Sequence, residues 1–217
     1  MSSVPNHRVI IVDDHPIMRL GLTQLIESID GVEVVGEAGS ASEGLDLLEE
    51  AGEVDLAIVD MSLPDRSGLE LIKDARNSWP DLKCLVISSH DEAVYAERVL
   101  RAGGRGYMMK DRAPEMLETA VRRVLDGEVF LSREMTAKMM EVFAGGKGST
   151  SVSVLSDREL EVYRAIGEGK TSREIAGMKG ISIRTVDAHR THIKEKLGLR
   201  DAAELTYEAI RWVESQS

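Results

Sequence analysis

The feature that most constrains this chain is a regular alternation of short apolar segments with amphipathic ones between residues 8 and 112. The apolar segments are rich in aliphatic and β-branched residues and read RVIIVDD, VEVVGE, LAIVD, CLVIS and GYMMK. Strands buried on both faces of a parallel sheet have such nearly continuous apolar sequences. The alternation therefore predicts an α/β domain with a five-stranded, parallel, doubly wound sheet.

The intervening segments have the apolar spacing of helices. In the first of them Pro16 stands in the opening turn, and the apolar residues after it share one helical face: Met18, Leu22, Leu25, Ile26 and Ile29. Ser40 and Glu43 have the spacing of a capping box at the start of the next helix. The segment ending in Gly127 is the closing helix, so we expect the first domain to cover residues 1–127.

The remainder of the chain has a different character. Residues 128–154 combine a short predicted helix with a Gly/Ser-rich sequence, AGGKGSTSVSV, which is typical of a flexible linker. Residues 155–217 contain four helical segments and no strand pattern. Three N-cap candidates mark helix starts in this region: Ser156, Thr171 and Ser182. The first two are followed three residues later by Glu, as in a capping box, and we expect a small all-α domain here.

Charge and composition narrow the functional classes. The net charge of −11 arises from residues 1–127, which carry 13 Lys/Arg against 24 Asp/Glu, whereas residues 155–217 carry 11 of each. This asymmetry supports two domains of different electrostatic character. The single cysteine, Cys84, excludes an intrachain disulfide and a cysteine-cluster metal site. No apolar run approaches the roughly 20 residues of a membrane span, so we expect a cytoplasmic protein without a membrane partner.

Polar residues stand where the predicted strands end. Asp13 and Asp14 end the first strand, Asp60 the third, Ser88 the fourth and Lys110 the fifth. The carboxyl ends of parallel strands share one edge of the sheet, where open α/β folds bind their ligands. These five residues are therefore expected to converge.

Three converging carboxylates repel one another, and a hard divalent cation relieves that repulsion. Carboxylates that leave room for water and a phosphoryl oxygen suit Mg²⁺. Lys110 would supply positive charge to phosphoryl oxygens, and Ser88 would supply a hydroxyl hydrogen bond. The set suffices for attack of an Asp60 carboxylate oxygen on phosphorus. A single aspartate at a strand end is more often a helix cap. The interpretation as a phosphorylation site therefore rests on all five residues standing at strand ends together.

The motifs IVDDHP, LAIVDMSLPDRSG, VISSHD and GYMMKD, in this order, resemble those of the receiver domains of two-component response regulators. The resemblance covers residues 8–125 and implies a flavodoxin-like fold. It implies that Asp60 is the phosphoacceptor. It also implies that Asp14, Asp60 and the backbone carbonyl of Ser62 bind Mg²⁺, with Asp13 as a closely linked acidic member.

The same resemblance implies a switch. Ser88 and Lys110 become the pair that senses the phosphoryl group, and Tyr107 becomes an aromatic side chain whose rotamer follows Ser88. From the residues alone, a half-buried aromatic at the sheet edge is as good an interpretation of Tyr107. His15 and His90 flank the site, and solvated loop histidines are the simpler interpretation of both.

Residues 155–199 resemble the LuxR-type helix-turn-helix domain, and a receiver joined to such a domain is the arrangement of NarL/FixJ response regulators. The sequence itself predicts a helix over 172–179, a turn at GIS and a second helix over 183–197 that would enter the major groove of DNA. Four residues of this recognition helix share an inward face: Val186, His189, Ile193 and Leu197. His189 is therefore more consistent with a core residue than with a base contact.

The resemblance implies DNA contacts on the opposite face of the recognition helix. Base contacts are expected at Asp187, Ala188 and Thr191, with Arg190 at the flank. Phosphate contacts are expected at Arg184, Thr185, Lys194 and Ser182. Two positions depart from the family pattern. Asp187 stands where a basic residue is common, and a carboxylate there favours a cytosine amino group; Lys179 stands at a usually apolar position, which Met178 could fill instead.

Together these inferences predict a phosphorylation-dependent, DNA-binding transcription regulator of a two-component system. A sensor histidine kinase or phosphotransfer protein would donate the phosphoryl group to Asp60, and no turnover enzyme is expected. We expect a homodimer when the protein is phosphorylated or bound to DNA. The expected DNA partner is double-stranded and contains an inverted repeat. In the last helix Leu205 and Ala209 are expected in the core, whereas Trp212 suits either the core or a dimer contact.

Two alternatives remain at this stage. A Mg²⁺-dependent aspartate phosphatase also uses a strand-end aspartate as its nucleophile, although such enzymes need a second aspartate where this chain has Ser62. The other alternative is a constitutive DNA-binding protein whose receiver serves only as an interaction module.

Overall fold

A computed structural model of the chain describes residues 7–143 and 151–215. The chain folds as two compact units, Met1–Ala144 and Gly145–Ser217. Among the helices of the described residues, none is both long enough and apolar enough to cross a bilayer.

The first unit contains a parallel sheet whose strands are β1 (His7–Val12), β2 (Val32–Ala38), β3 (Leu56–Val59), β4 (Lys83–Ser88) and β5 (Gly106–Met109). The strands lie in the order β2-β1-β3-β4-β5. The helices between and after them are α1 (Pro16–Glu27), α2 (Ala41–Ala51), α3 (Gly68–Ser78), α4 (Glu92–Ala102) and α5 (Ala113–Leu125). The prediction of a five-stranded, doubly wound α/β fold is confirmed. All four residues of β3 are buried, which explains its unbroken apolar sequence.

One large apolar cluster lies between the sheet and the helices α1 and α5. Side chains of β1, β3, β4 and β5 meet there with residues of both helices, among them Leu22, Ile26, Leu117, Val121 and Val124. The stripe predicted on α1 is buried at its centre and only partly buried at Met18 and Leu25. Cys84, as expected, is a buried residue of β4. The cluster fixes the strands whose ends carry the polar residues.

The strand register aligns those polar residues along one edge. Val12 of β1 lies opposite Val59 of β3, so Asp13 and Asp60 follow on adjacent strands. The Asp60 N–H donates to the Val12 carbonyl at 2.8 Å. On the other side, Ser88 lies opposite the last residue of β5. Parallel pairing therefore brings the predicted residues to the same edge of the sheet.

Helix starts in the first unit are capped in two ways. Ser67 and Glu70 form a reciprocal capping box at the start of α3. At the start of α2, Ser40 accepts the Glu43 N–H at 3.2 Å. A capping box would also need the Glu43 carboxylate to accept the Ser40 N–H. That part of the prediction is wrong, because the carboxylate accepts the Gly39 N–H instead, at 2.7 Å. The carboxylate thus stabilises the turn that precedes the cap.

The segment after α5 continues the first unit. A helix, α6 (Arg133–Phe143), lies within the region where we expect a short helix. Residues 144–150 of the predicted flexible linker lie outside the described residues. Residues 151–154, which were expected to be irregular, form a 3-10 turn, Ser151–Val154.

The second unit is all-helical, as predicted. Its helices are α7 (Asp157–Gly167), α8 (Ser172–Lys179), α9 (Ile183–Leu197) and α10 (Ala202–Glu214). The predicted N-caps are present at all three positions: Ser156 and Thr171 in reciprocal capping boxes, and Ser182 through the Thr185 N–H. Gly180, with φ of 61°, ends α8 in the left-handed conformation that suits glycine.

The inward face of α9 is narrower than predicted. Val186 and Ile193 are fully buried, whereas His189 and Leu197 are only half-buried. At the end of α8, Met178 does not fill the apolar position, since half of its surface is exposed. Lys179 instead extends to Glu161 of α7, with Nζ 3.1 Å from the carboxylate. An ion pair thus stands where packing of an apolar residue is usual.

The last helix closes the core of the second unit. Leu205 and Ala209 are fully buried, as expected. Trp212 is half-buried, and its ring centroid lies 5.5 Å from that of Tyr163. Trp212 therefore has a packing partner within the unit.

Gly68 offers a test of how closely α3 approaches the end of β3. A Cβ at this position would overlap the carbonyl oxygen of Asp60, which belongs to the backbone and cannot turn away. We expect Gly68→Ala to lower the free energy of unfolding of the first unit by about 2 kcal/mol, measured by urea denaturation. Gly21→Ala in the middle of α1 is the matched control, because no atom lies within 4 Å of its added Cβ. This control should raise stability by about 0.5–1 kcal/mol, and equal effects of the two variants would contradict the prediction.

Candidate functional site

Four side chains with metal-ligating atoms meet at the carboxyl edge of β1 and β3. The ligand atoms of Asp13, Asp14, His15 and Asp60 lie within 4.8 Å of one another. Only 1 % of Asp13 and 3 % of Asp60 is exposed, although both end in carboxylates. His15 is largely exposed, and its Nδ1 lies 2.6 Å from Asp14 Oδ1. The structure therefore brings the three aspartates together and adds a histidine that the sequence did not assign to the cluster.

Lys110 bridges the two buried carboxylates. It begins a 3-10 turn, Lys110–Arg112, directly after β5. Its Nζ lies 2.7 Å from Asp13 Oδ2 and 2.7 Å from Asp60 Oδ2. Burial by itself lowers the pKa of a lysine, but the hydrogen bonds to the two carboxylates outweigh it and the pKa of Lys110 is raised. Lys110 is therefore cationic at neutral pH.

The Asp60 carboxylate has a different partner on each oxygen. Lys110 donates to Oδ2, and the Ser62 N–H donates to Oδ1 at 3.2 Å. Burial raises the pKa of Asp60, Lys110 opposes the rise, and the charge of Asp13 adds to it. Its surroundings therefore disfavour the charged form of the Asp60 carboxylate overall.

The donor set fits a hard divalent cation. Lys110 compensates one of three carboxylate charges, and the remaining negative charge is held within a few ångströms at the end of two strands. Oxygen ligands with uncompensated charge are what Mg²⁺ prefers in proteins. The cluster of Asp13, Asp14 and Asp60 therefore has the charge and the oxygen atoms that such an ion needs.

His90 has a structural role that the sequence did not indicate. Its Nε2 lies 2.8 Å from the Ser62 Oγ, so the loop after β4 is hydrogen-bonded to the loop after β3. Its carbonyl accepts the hydroxyl of Tyr107 at 2.7 Å. Its ring centroid lies 5.2 Å from that of Tyr95. The interpretation of His90 as a solvated loop residue is therefore wrong.

Ser88 and Tyr107 are both completely buried. The Ser88 Oγ accepts the His90 N–H at 3.1 Å. Burial raises the pKa of Tyr107, although a hydrogen bond with Ser88 opposes the rise. The tyrosine is thus turned into the protein, and the alternative of a half-buried edge aromatic is wrong. The two residues and His90 form one connected group.

Asp65 anchors the loop that follows Asp60. One carboxylate oxygen accepts the Ala41 N–H at 2.9 Å, and the other accepts the N–H and the hydroxyl of Ser42, at 2.9 and 2.7 Å. Desolvation is the largest single influence and raises the pKa of Asp65, but the hydrogen bonds from Ala41 and Ser42 together outweigh it and lower the pKa to about 2. The loop is therefore tied to the N-terminus of α2, where a carboxylate is favoured by the helix dipole. In the sequence, the aspartate of PDRSG indicates a turn but does not indicate that its partners are Ala41 and Ser42.

The recognition helix α9 presents most of its predicted contact residues to solvent. Exposed side chains on it or at its N-cap are Ser182, Arg184, Thr185, Asp187, Ala188 and Thr191, whereas Arg190 and Lys194 are half-buried. Some of them have partners within the unit: Asp187 accepts the Ser172 hydroxyl at 2.9 Å, and Ser182 Oγ lies 2.8 Å from Thr185 Oγ1. The Asp187 carboxylate is therefore held toward the N-terminus of α8.

Comparison with known proteins accounts for both units. The family profile described as "Response regulator receiver domain" matches residues 9–122, and the profile described as "Bacterial regulatory proteins, luxR family" matches residues 153–209. The chain belongs to the NarL/FixJ-type response regulators. The acidic cluster is therefore at the position where receiver domains typically bind Mg²⁺.

Relatives of this response regulator match it over nearly its full length. The oxygen regulatory protein NreC of Staphylococcus carnosus (strain TM300) is 34% identical in an alignment of 211 residues, and the match covers 94% of this chain and 97% of that protein. NreC of Staphylococcus haemolyticus (strain JCSC1435) is also 34% identical with the same coverage. A solved structure of RcsB from Salmonella enterica serovar Typhimurium, bound to promoter P1flhDC in the presence of the phosphomimetic BeF₃⁻, has a TM-score of 0.71 at 29% identity. The match covers 97% of this chain and 99% of that one.

Lys110 generates a prediction about stability. Lys110→Met leaves two buried carboxylates without their cation, and we expect it to lower the free energy of unfolding at pH 7 by about 3 kcal/mol. Because Lys110 opposes the rise in the pKa of Asp60 that burial causes, the pKa of Asp60 is expected to rise further in the folded state of the variant. Because the folded variant binds protons more tightly than the unfolded chain, its stability should fall as the pH rises from about 4. Urea denaturation at several pH values measures both effects.

Arg101→Met is the control for this prediction, since it removes an exposed cation of α4 that pairs with Glu97 one turn earlier on the same helix. Mg²⁺ should restore part of the stability of Lys110→Met and have no such effect on the control. A Lys110→Met variant as stable as the control at pH 7 would show that Lys110 does not offset the buried charge.

Proposed function

We propose that the chain is a phosphorylation-dependent, DNA-binding transcription regulator whose phosphoacceptor is Asp60. The observation that carries this proposal is a buried carboxylate at the end of β3, hydrogen-bonded to Lys110 and adjacent to Asp13. Burial raises the pKa of this carboxylate, and groups whose pKa is shifted by burial and by a charged partner are concentrated at functional sites. Attack on phosphorus is a use that the surrounding groups support.

The transfer step balances with groups of this chain and of a phosphohistidine donor. An Asp60 carboxylate oxygen forms a bond to phosphorus as the phosphorus–nitrogen bond of the donor breaks, and the departing imidazole takes up a proton from solvent. The Lys110 ammonium neutralises charge on the phosphoryl oxygens as the bond forms. The donor would be a sensor histidine kinase or a phosphotransfer protein in the cytoplasm.

Mg²⁺ is the proposed cofactor, held by Asp14, Asp60 and the backbone carbonyl of Ser62, with Asp13 close by. When bound, the ion supplies positive charge to the phosphoryl oxygens. The carboxylates orient it, and Lys110 stays with Asp13 and the acyl phosphate. The uncompensated charge of the acidic cluster supports this assignment.

Ser88 and Tyr107 are the proposed switch. A phosphoryl group on Asp60 would attract the Ser88 hydroxyl, which now accepts the His90 N–H. Movement of Ser88 would remove the partner that lies beside the buried tyrosine and let the Tyr107 side chain change position. The connected group of Ser88, His90 and Tyr107 supports this role.

The proposed DNA-binding element is α9, with base contacts from Asp187, Ala188 and Thr191 flanked by Arg190. Phosphate contacts would come from Ser182, Arg184, Thr185 and Lys194. The solvent exposure of six of these eight residues supports the assignment. One solved RcsB structure is described as two dimers bound to two parallel DNAs, which supports a homodimer as the DNA-bound form of this chain. A two-fold symmetric dimer would suit an inverted repeat.

The phosphoacceptor is tested by intact mass after treatment with acetyl phosphate and Mg²⁺. The mass should rise by one phosphoryl group, and Asp60→Asn should abolish the gain because an amide cannot form the acyl phosphate. Asp74→Asn, which removes a surface carboxylate of α3, is the control and should be labelled normally. Asp14→Ala should need a higher Mg²⁺ concentration for the same labelling, because it removes a ligand.

Undiminished labelling of Asp60→Asn would show that Asp60 is not the phosphoacceptor. Steady hydrolysis of phosphomonoesters by the wild-type protein would instead favour a phosphatase. Such turnover is not expected, since Ser62 provides a hydroxyl where those enzymes have an acid–base carboxylate.

The role of α9 is tested by the salt dependence of binding to a duplex. Lys194→Ala should weaken binding to all sequences and lower the slope of log K against log salt by about one, because one phosphate contact is lost. Asp187→Asn should strengthen nonspecific binding, since it removes a negative charge but keeps an acceptor for the Ser172 hydroxyl. Arg101→Ala, in the first unit, is the control. A slope that is unchanged in Lys194→Ala would exclude it as a phosphate contact.

A further inference from the structure

Residues 128–137, which follow α5, are bound to the open edge of the sheet, and we call them the strap. Phe130 forms a parallel bridge with Gly106 of β5. The Phe130 N–H donates to the Arg105 carbonyl at 2.9 Å, and the Tyr107 N–H donates to the Phe130 carbonyl at 2.9 Å. The strap extends the sheet beyond β5 by one residue and binds the backbone N–H of Tyr107, the proposed switch tyrosine.

The side chains of the strap are fitted to that edge. Phe130 is 4 % exposed and belongs to the apolar cluster of the sheet. Arg123 of α5 lies over its ring, 5.8 Å from the centroid, and donates to the Glu128 carboxylate at 2.7 Å. A Cβ on Gly106 would lie 3.1 Å from the Phe130 carbonyl oxygen and 2.8 Å from Leu85 Cδ1. Glycine at position 106 is therefore what allows the strap to approach.

A second attachment joins the strap to the first turn of α4. The Ser132 N–H donates to Glu92 Oε1 at 2.8 Å, across 40 residues of sequence. Ser132 in turn caps α6, since its Oγ accepts the Met135 N–H at 3.0 Å. Met135 is buried, with 6 % exposed. The start of α6 is thus held in place by one carboxylate of α4.

Both attachments lie on elements of the proposed switch. The first is the backbone of Tyr107 itself. The second, Glu92, is two residues beyond His90, whose N–H is bonded to Ser88 and whose carbonyl is bonded to the Tyr107 hydroxyl. A movement of Ser88 toward a phosphoryl group would release the His90 N–H. It would also displace the start of α4, because His90 directly precedes Asp91, the N-cap residue of that helix.

We propose that the strap is a latch, closed in the unphosphorylated protein by Glu92 and opened at its Ser132 end when Asp60 carries a phosphoryl group. The opening half of this proposal rests on the proposed function, whereas the closed half rests on contacts of the resting protein alone. The latch connects the phosphorylation site to the segment that leads toward the second unit. Because the strap is attached both to β5 and to α4, a movement of either element would act on it directly.

The closed state is tested without phosphorylation, by amide hydrogen exchange of the full chain followed by mass spectrometry of peptides covering residues 129–139. Glu92→Ala removes the charged acceptor of Ser132, and exchange in these peptides should be about tenfold faster. Glu92→Gln keeps an oxygen acceptor and should return exchange most of the way to the wild-type rate. Glu97→Ala, which removes an exposed carboxylate one turn further along α4, is the matched control and should leave the strap unchanged.

The opening is tested on the wild-type chain treated with acetyl phosphate and Mg²⁺, with intact mass reporting the phosphoryl group on the same sample. Exchange in peptides 129–139 should rise by a factor similar to that of Glu92→Ala. Ser88→Ala lacks the oxygen that accepts the His90 N–H, so its strap should exchange faster than that of the wild-type chain before treatment and show a smaller further rise after phosphorylation.

The outcomes separate this proposal from the proposed function. Phosphorylated protein whose strap exchanges at the resting rate would overturn the latch and leave Asp60 as phosphoacceptor. Absence of any phosphoryl gain would overturn the proposed function and the opening of the latch together. Unchanged exchange in Glu92→Ala would overturn the closed state, whatever phosphorylation does.

Discussion

The bridge from one ammonium group to two buried carboxylates is the interaction on which the first unit depends. Lys110 lies 2.7 Å from both Asp13 and Asp60, which follow adjacent strands of the sheet. Removing such a cation would leave charge in a place from which water is excluded. The bridge compensates only part of the negative charge, so the folded site keeps an excess of carboxylate charge of the kind that suits a divalent cation.

The sheet supplies the rigidity that this arrangement needs. Asp60 is positioned by its own N–H, which donates to the Val12 carbonyl, and by the close approach of Gly68 at the start of α3. The loops beyond the strand ends lie outside the hydrogen-bonded pairing of the strands. Ser62 and His90 join two of these loops at 2.8 Å, and His90 joins the second loop to Tyr107. A change at Asp60 can therefore reach β5 through a short series of hydrogen bonds.

Much of the fold could be predicted because its signals are local. Five apolar runs indicated the strands, since burial of both faces requires apolar residues without interruption. The bounds of α8 and α9 agree with the predicted ranges, because Thr171, Gly180 and Ser182 mark their ends by capping chemistry. The interpretation was weaker where a residue type allows two partners, as at Glu43, whose carboxylate turned to Gly39.

By itself the sequence determined the two-unit α/β and all-α organisation and the polar residues at the strand ends, because both follow from periodicity and from the geometry of parallel sheets. Only the tertiary structure decided which loops touch. The contacts of Asp65 with Ser42 and of Glu92 with Ser132 join residues 23 and 40 positions apart. Loops have no repeating pattern, so nothing in the local sequence specifies such partners. They arise when the packed sheet brings the loop backbones close enough for a carboxylate to satisfy an N–H group that would otherwise lose its partner.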